Sequence, residues 1–501
     1  MAEGFWLIIF GLGLLGGILS GVPVLLVISG VPVLVAFLAA GFGAFDLSYL
    51  QAFPQRVFGI MNNTLLIAVP LFVLMGALLE RSRLAERMLL SAAAALGGSG
   101  RALALAVLLV STLIAASTGI IGATIVMLGM IALPALLRAG VPERLSSGLV
   151  CAAGTLGQII PPSIVLVLLG DQISNAYLEA QQAAGNFAPF PVTVGDLFAG
   201  AMIPGLVLVA LYGAYVILRL PSTKSRPNSS APPINGLLRD ILPPILLIIA
   251  VLGAILAGVA TPTEAAAVGV AGALLLVATN ATPRLWWVFA IGGASGFALV
   301  GSKLLGVAWL PLTLLLTGLL VVGLIAATWT SVRSGALAPA LAQTVQVSAM
   351  IFGIIVAASM LSLVFRGFGG VELVHDLFDS LPGEAWGMLI ATLFVVFLLG
   401  FVLEFVEIVF ITVPIVGPIL LQQIDPVWFA ILLALNLQTS FLTPPFGFAL
   451  FYFRSVAPES ISTGQIYRAI VPFVLIQLVT LIMVLIFPAL ATWLPSMLFG
   501  S

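Results

Sequence analysis

Ile159-Ile160-Pro161-Pro162-Ser163 and, far downstream, Leu442-Thr443-Pro444-Pro445-Phe446 decide how this chain folds. Each string lies inside a long apolar stretch, and each Pro-Pro pair falls where a helix would otherwise run unbroken through lipid. Proline removes a backbone donor and its ring clashes with the preceding turn, so each pair breaks its helix. Broken backbone at membrane depth survives only where protein buries it or where it lines a cavity. A matched pair of interrupted segments in the two halves of a chain points to a transporter's binding site.

The composition around these strings agrees. The 501 residues are 62% hydrophobic and 7% charged, whereas an average soluble domain is roughly a quarter charged. One spanning helix takes about 20 apolar residues, and the chain holds enough for a dozen. The alternating polarity of a membrane β-barrel is missing. The expected class is therefore an all-α polytopic membrane protein embedded in a lipid bilayer. A net charge of −1 argues against nucleic acid as a partner. The opening MAEGFW lacks the basic region of a cleaved signal peptide, so the first apolar segment is expected to stay as an anchor. The single Cys151 excludes an internal disulfide and a Cys-based zinc site. The single His375 removes most histidine-based metal or acid–base schemes, and its acidic surroundings read as a solvated segment.

Full spans are expected at about 4–20, 22–41, 59–80, 144–169, 196–218, 240–259, 263–280, 284–302, 306–329, 340–365, 427–453 and 467–493. Two further apolar stretches, about 101–138 and 384–421, carry small or polar residues near their middles and read as re-entrant hairpins. The prolines repeat at a fixed distance: Pro134 and Pro418 are 284 apart, as are Pro142 and Pro426, while Pro161/Pro444 and Pro162/Pro445 are each 283 apart. One single-residue gap reconciles all four pairs. Residues 1–220 are thus expected to form a first repeat, with an amphipathic arm helix at about 81–97, the hairpin at about 101–138 and the broken helix at 144–169. A Pro/Ser-rich cytoplasmic linker follows at 221–239 and contains PSTKSRPNSSAPPIN (Pro221–Asn235). Residues 240–501 form the second repeat, with extra spans near 284–329, the hairpin at about 384–421 and the broken helix at 427–453.

Charge makes the repeats inverted. Arg81, Arg83, Arg87 and Arg101 precede the first hairpin, whereas Glu372, Asp376, Asp379 and Glu384 outnumber Arg366 before the second. The 170–195 loop carries Asp171 and Glu179 without Lys or Arg, and its counterpart around 454–468 carries Arg454 and Arg468. Basic loops stay cytoplasmic, so corresponding segments of the two halves face opposite sides. Asp and Glu say little about orientation, and the arginines carry this argument.

The chemistry should lie at the hairpin tips and the broken helices. The first tip reads Ala116-Ser117-Thr118-Gly119, beside Gly154-Thr155-Leu156-Gly157-Gln158. Unwound carbonyls with Ser and Thr oxygens can replace the hydration shell of Na⁺, and half-helix N-termini suit an anionic substrate. The same small residues also tighten helix packing, which is the alternative for each of them singly. The second tip reads Leu403-Glu404-Phe405-Val406-Glu407, beside Asn436-Leu437-Gln438-Thr439-Ser440 and Thr443. Ionisable residues at membrane depth are functional candidates. Glu404 and Glu407 either ligate Na⁺, carry protons or mark a water-filled edge. The expected substrate contacts are Ser117, Gln158, Gln438 and Ser440. Glu264 opens a span behind Thr263, and capping suffices to explain it. No G-x-x-x-x-G-K-[ST] string is present, so nothing reads as an ATP motor.

With these pieces assembled, the chain resembles the large membrane subunit of a tripartite ATP-independent periplasmic (TRAP) transporter over nearly its whole length. The resemblance rests on ATPTEAAAVG (260–269), GQIIPPS (157–163), LNLQTSFLTPPFG (435–447) and FPALATWLP (487–495). LEFVEI (403–408) departs from the family's commoner hairpin, which has one acidic residue and nearby prolines, and looks like the branch linked to mannitol, chloroaromatic and keto-acid uptake. The resemblance implies an inverted-repeat elevator-type transporter in the bacterial inner membrane, not an enzyme, with about 12 spans and two re-entrant hairpins. It implies Na⁺ as driving ion, a small four-helix membrane subunit and a periplasmic substrate-binding protein as partners, and a carboxylate, keto acid or sulfonate as organic anion substrate. By motif match, one Na⁺ site is expected near Thr118, Gly119, Gly154, Thr155 and Gly157, and a second near Glu404, Thr439 and Thr443. The rivals are a self-contained Na⁺/dicarboxylate-type symporter that needs no binding protein, and a channel or membrane enzyme.

Overall fold

The computed structural model describes residues 2–82, 84–95, 99–118, 121–221, 234–304, 309–445 and 447–500. The chain opens with α1 (Ala2–Leu19), α2 (Val24–Gly41), α3 (Phe53–Asn62), α4 (Ala68–Arg81) and α5 (Leu84–Ala95). The first hairpin is α6 (Gly100–Thr118) and α7 (Ile121–Arg138), and the broken helix is α8 (Glu143–Thr155) and α9 (Ile164–Ala183). Then come α10 (Val194–Arg219), α11 (Ile234–Leu256), α12 (Pro262–Ala281), α13 (Trp286–Leu304), α14 (Leu310–Arg333), α15 (Leu337–Gly367) and α16 (Gly370–Asp379). The second hairpin is α17 (Glu384–Leu399) and α18 (Phe405–Leu420), followed by α19 (Pro426–Leu442), α20 (Phe448–Val456), α21 (Thr463–Ile486) and α22 (Ala489–Phe499). The segment 222–233, most of the expected linker, lies outside the described residues.

Both hairpins stand where the sequence places them, but several expected spans are interrupted. Among the described residues nine helices are long and apolar enough to cross a membrane, and shorter apolar helices supply the rest. The expected 59–80 span breaks at Asn63. Its Oδ1 accepts from Leu65 N–H at 3.0 Å, while its Nδ2 donates to Asp171 Oδ1 at 2.7 Å. The expected 467–493 span breaks at Phe487, because Pro488 pushes the residue before it out of helical conformation. Residues 170–183, read as loop, continue α9, so Asp171 and Glu179 are helical. Within the stretch expected to form an arm helix, 81–97, lies the short helix α5, and α16 is a short helix in the corresponding place before the second hairpin.

Local chemistry explains many starts. Thr193 with Asp196, Thr261 with Glu264 and Ser462 with Gln465 form capping boxes that open α10, α12 and α21, each satisfying two N–H groups the helix leaves unbonded. At α12 the cap is Thr261, not the expected Thr263, whose hydroxyl instead donates to the Thr64 carbonyl at 3.0 Å. His375 is exposed, with Asp379 one turn on at 3.1 Å.

The packing repeats with a two-fold pattern. α2 lies on α15 and α12 lies on α4, while α4 and α15 touch each other. Similarly, α7 of the first hairpin packs on α20, and α18 of the second packs on α9. Each hairpin's return limb therefore rests on the post-proline half-helix of the other half. α13 and α14 pack on each other and on α12. Gly292 and Gly323 meet there backbone to backbone, so a Cβ on either would crowd the opposite Cα. That pair takes no part in the two-fold pattern.

Arginines tie one end of the molecule together. Arg81 donates to Gln343 Oε1 at 3.2 Å, the Arg101 guanidinium to the Leu220 carbonyl, and Arg144 Nε to the Arg468 carbonyl at 3.1 Å. At the same end Ser91 of α5 donates to Asp240 Oδ2 at 2.7 Å. Arg366, the exception in the acidic set, forms a two-pronged pair with Glu179 at 2.6 and 3.0 Å and also donates to the Pro414 carbonyl at 3.2 Å.

Candidate functional site

Both Pro-Pro pairs break their helices, and both Pro–Pro bonds are cis. In the first half α8 stops at Thr155, a single 3₁₀ turn covers Leu156–Gln158, and α9 starts at Ile164. Everything from Leu145 to Asp171 is buried. The turn is held by Ser163, whose hydroxyl donates to the Gly157 carbonyl at 2.8 Å. Gly154 lies so close to Ile125 of α7 that a Cβ would collide with that side chain. The Thr155 hydroxyl donates to the Ala152 carbonyl at 2.8 Å and accepts from Gln438 Nε2 and Gln477 Nε2, each at 3.3 Å. One hydroxyl thus joins α8, α19 and α21. Gln158 is fully buried, and neither end of its amide meets a partner among the described residues.

The second half differs in detail. Asn436 Nδ2 donates to the Leu393 carbonyl at 2.7 Å and Ser440 Oγ to the Phe397 carbonyl at 2.6 Å, fastening α19 to α17. Thr439 and Thr443 donate to the carbonyls four residues back, Leu435 and Thr439, each at 2.7 Å. Glu404 is the N-cap of α18 and Glu407 its third residue, in a capping box. Glu407 Oε2 accepts from the Glu404 N–H at 3.0 Å, and its side chain is buried. Glu407 is therefore a cap, the role left open by its sequence position.

A cavity of about 230 Å³ lies where these parts converge. The start of α7 (Ile121, Gly122) and the start of α9 (Ile164) form one side. The start of α18 (Glu404, Phe405, Val406), the end of α19 (Phe441) and α20 (Phe448, Tyr452) form another. Val347, Met350 and Ile351 of α15 close it. The first residues of α7, α9, α18 and α20 all line this space, so four helix starts border it. Neither α9 nor α20 carries a side-chain cap bond, which leaves their N–H groups and positive ends for a ligand. The Tyr452 ring lies on Gly122, where a Cβ would come within 2.8 Å of it.

Of the residues singled out from sequence, Glu404 lines this cavity. Gln438 and Ser440 are fully buried, bonded to Thr155 and to α17, and do not line it. Gly119 lies outside the described residues, as do the side chains of Ser117 and Thr118 at the end of α6. Gln477, Tyr452 and the α15 face are residues that sequence reading missed. Gln477 is one amide in an apolar span, and nothing in its neighbourhood marks it. Tyr452 follows LTPPFG by a few residues and was within reach of a reading that extended the motif by one helical turn.

The family model described as "Tripartite ATP-independent periplasmic transporter, DctM component" matches residues 11–490. Among curated relatives, the C4-dicarboxylate TRAP transporter large permease protein DctM of Pseudomonas aeruginosa is 28% identical over 446 residues, covering 88% of this chain and 89% of that one. The sialic acid TRAP transporter large permease protein SiaM of Vibrio cholerae is 25% identical over 449 residues, covering 89% and 90%. Among solved structures, the YdaH transporter of Alcanivorax borkumensis superposes with a TM-score of 0.52 at 15% identity, covering 89% of each chain.

Proposed function

Since this chain belongs to the DctM component family of the tripartite ATP-independent periplasmic transporters, we propose that it takes up a small organic anion by Na⁺-driven, elevator-type alternation. It is a multi-pass permease of the bacterial inner membrane and not an enzyme. In this reading a periplasmic binding protein delivers the solute and a small four-helix membrane subunit holds the static helices. The hairpins and half-helices move as the transport body against α4 and α15. The repeat boundaries expected from sequence, 1–220 and 240–501, are part of the same proposal.

One observation carries it: the helix N-termini of both hairpin return limbs and both post-proline half-helices meet at one cavity. Together they attract an anion without any Lys, Arg or His among the described lining residues. Glu404 sits in the same cavity. A substrate carboxylate and Glu404 share it only when a cation enters too or one of them takes a proton, and in this reading the cation is Na⁺, which couples it to the solute. The proposed cation ligands are Glu404 together with the Gln158 amide, the Gly157 carbonyl and the hydroxyls of Thr439 and Thr443, which lie outside the cavity lining. The backbone of Thr155, whose hydroxyl is taken by Gln438 and Gln477, completes the sites as proposed with Gly154, Thr118 and Gly119. The acidic hairpin LEFVEI carries the further proposal that the chain belongs with the mannitol, chloroaromatic and keto-acid branch.

The test is uptake into liposomes with an imposed Na⁺ gradient, for the chain alone and with both partners. Accumulation with partners and none without them is expected. Robust uptake by the chain alone would replace this reading with a self-contained symporter.

A further inference from the structure

We propose that the wedge between the starts of α8 and α21 binds the headgroup phosphate of an anionic phospholipid of the cytoplasmic leaflet. The two helices meet closely at Gly148, where a Cβ would lie 2.4 Å from the Ala469 carbonyl oxygen. Before that crossing they part and leave a separate cavity of about 230 Å³. Glu143, Arg144 and Ser147 of α8 line it together with Gln465 and Arg468 of α21, and Ile461 closes it from the turn before α21. The two arginines outweigh the one acid. Arg144 Nε donates to the Arg468 carbonyl at 3.1 Å, which holds that guanidinium against α21. Arg454 brings a third positive charge nearby, since its Nη1 donates to the Ile461 carbonyl at 2.5 Å. Ser147 is 1% exposed, and its Oγ has no hydrogen-bond partner among the described residues. In addition α8 opens without a side-chain cap bond, so its first N–H groups remain for an anion.

Two features favour a lipid over a soluble anion. Arg468 is followed at helical spacing by Val471, Leu475, Val479, Ile482 and Ile486, which share its face of α21. All five are exposed. An apolar stripe roughly 27 Å long thus runs from the arginine into the bilayer, and acyl chains can lie along it while their headgroup reaches the wedge. The wedge also sits at the arginine-rich end of the molecule, the end that the basic-loop rule assigns to the cytoplasm. Basic pockets between spans on that side recruit anionic headgroups. Two turns deeper the same helices meet again, where Gln477 donates to the Thr155 hydroxyl at 3.3 Å. A lipid in the wedge therefore braces the helix pair that carries the first break.

The experiment titrates the delipidated full chain in detergent with dioleoylphosphatidylglycerol, dioleoylphosphatidylcholine or inorganic phosphate and follows the unfolding temperature. Phosphatidylglycerol is expected to stabilise at concentrations roughly five-fold or more below phosphatidylcholine, and inorganic phosphate to have no effect at matched ionic strength. Arg144→Gln and Arg468→Gln are each expected to raise the phosphatidylglycerol midpoint roughly five-fold, the attraction of one arginine near an anionic surface. Arg333→Gln, at the end of α14 and outside the wedge, is expected to leave it unchanged. Equal stabilisation by the two lipids, or an unchanged midpoint in both wedge variants, overturns the proposal. An equal rise in Arg333→Gln would reveal a general charge effect and overturns it too. Stabilisation by inorganic phosphate at the same concentrations gives the wedge to a soluble anion and overturns the lipid assignment. The comparison of the three probes on the unaltered chain decides the matter if neither wedge variant folds.

Discussion

Thr155 shows how far a residue's chemistry departs from its motif. The motif marks it as an ion ligand, yet both acceptor positions of its hydroxyl are taken by the Gln438 and Gln477 amides. Thr155→Val leaves two buried N–H groups unpaired, each costing about 1–3 kcal/mol. The expected outcome is a clear drop in unfolding temperature with little change in the Na⁺ concentration for half-maximal uptake. A large shift in Na⁺ dependence at unchanged stability would return the hydroxyl to the ion site. Glu404 and Glu407, three residues apart, separate in the same way. Gln at position 407 keeps the oxygen that accepts from the Glu404 N–H, so Glu407→Gln is expected to retain most uptake. Glu407→Ala loses the cap and about 1 kcal/mol. Glu404→Gln removes the only charge in the described cavity lining and is expected to abolish Na⁺-coupled uptake. Uptake against Na⁺ concentration at matched membrane levels checks all three, and the reverse order of damage would put the ion one helical turn further along α18.

At the scale of elements, function depends on contacts between halves. The start of α7 meets α20 through Gly122 and Tyr452. Gly122→Val drives the Tyr452 ring away from α7 and toward the cavity it lines. Uptake should fall sharply while expression and unfolding temperature stay near normal, and unaffected uptake would show that the ring has room elsewhere. Arg366 joins α15 to α9 through Glu179 and to α18 through the Pro414 carbonyl. With side chains 30% and 46% exposed, this ion pair is worth only about 0.2–1 kcal/mol, weak enough to break in every cycle. Arg366→Gln and Glu179→Gln are each expected to change, in the same direction, the rate at which an impermeant thiol reagent labels Val347→Cys in a Cys151→Ala background. Equal rates in all three proteins would show that the pair does not hold α15 to the moving helices.

For the whole molecule, the repeat spacing becomes a contact. Thr155 and Gln438 are 283 residues apart, the same spacing as the Pro-Pro pairs, and they are hydrogen-bonded to each other. If the one-residue gap lies before Thr155, the two are equivalent positions in contact, and the axis relating the proposed repeats would pass between α8 and α19. Inversion across the membrane has a direct test. Glu86→Cys on α5 and Asp376→Cys on α16 are both exposed positions, and in a Cys151→Ala background only Asp376→Cys is expected to label from outside. Labelling of both from one side would refute the inverted topology. The sequence by itself determined the class, the two hairpins and the two breaks. Hydrophobic run length, proline's missing donor and the repeat spacing are local properties that no packing can alter. It marked the acids of the second tip as candidates, but not which one caps and which one faces the cavity, because that is settled by the phase of α18. Only the tertiary structure decided that α7 rests on α20 and α18 on α9, that α15 supplies the apolar wall, and that Gln477 reaches Thr155. Those are pairings between segments hundreds of residues apart in stretches of nearly uniform hydrophobicity, where one helix face reads like another until its partner is known.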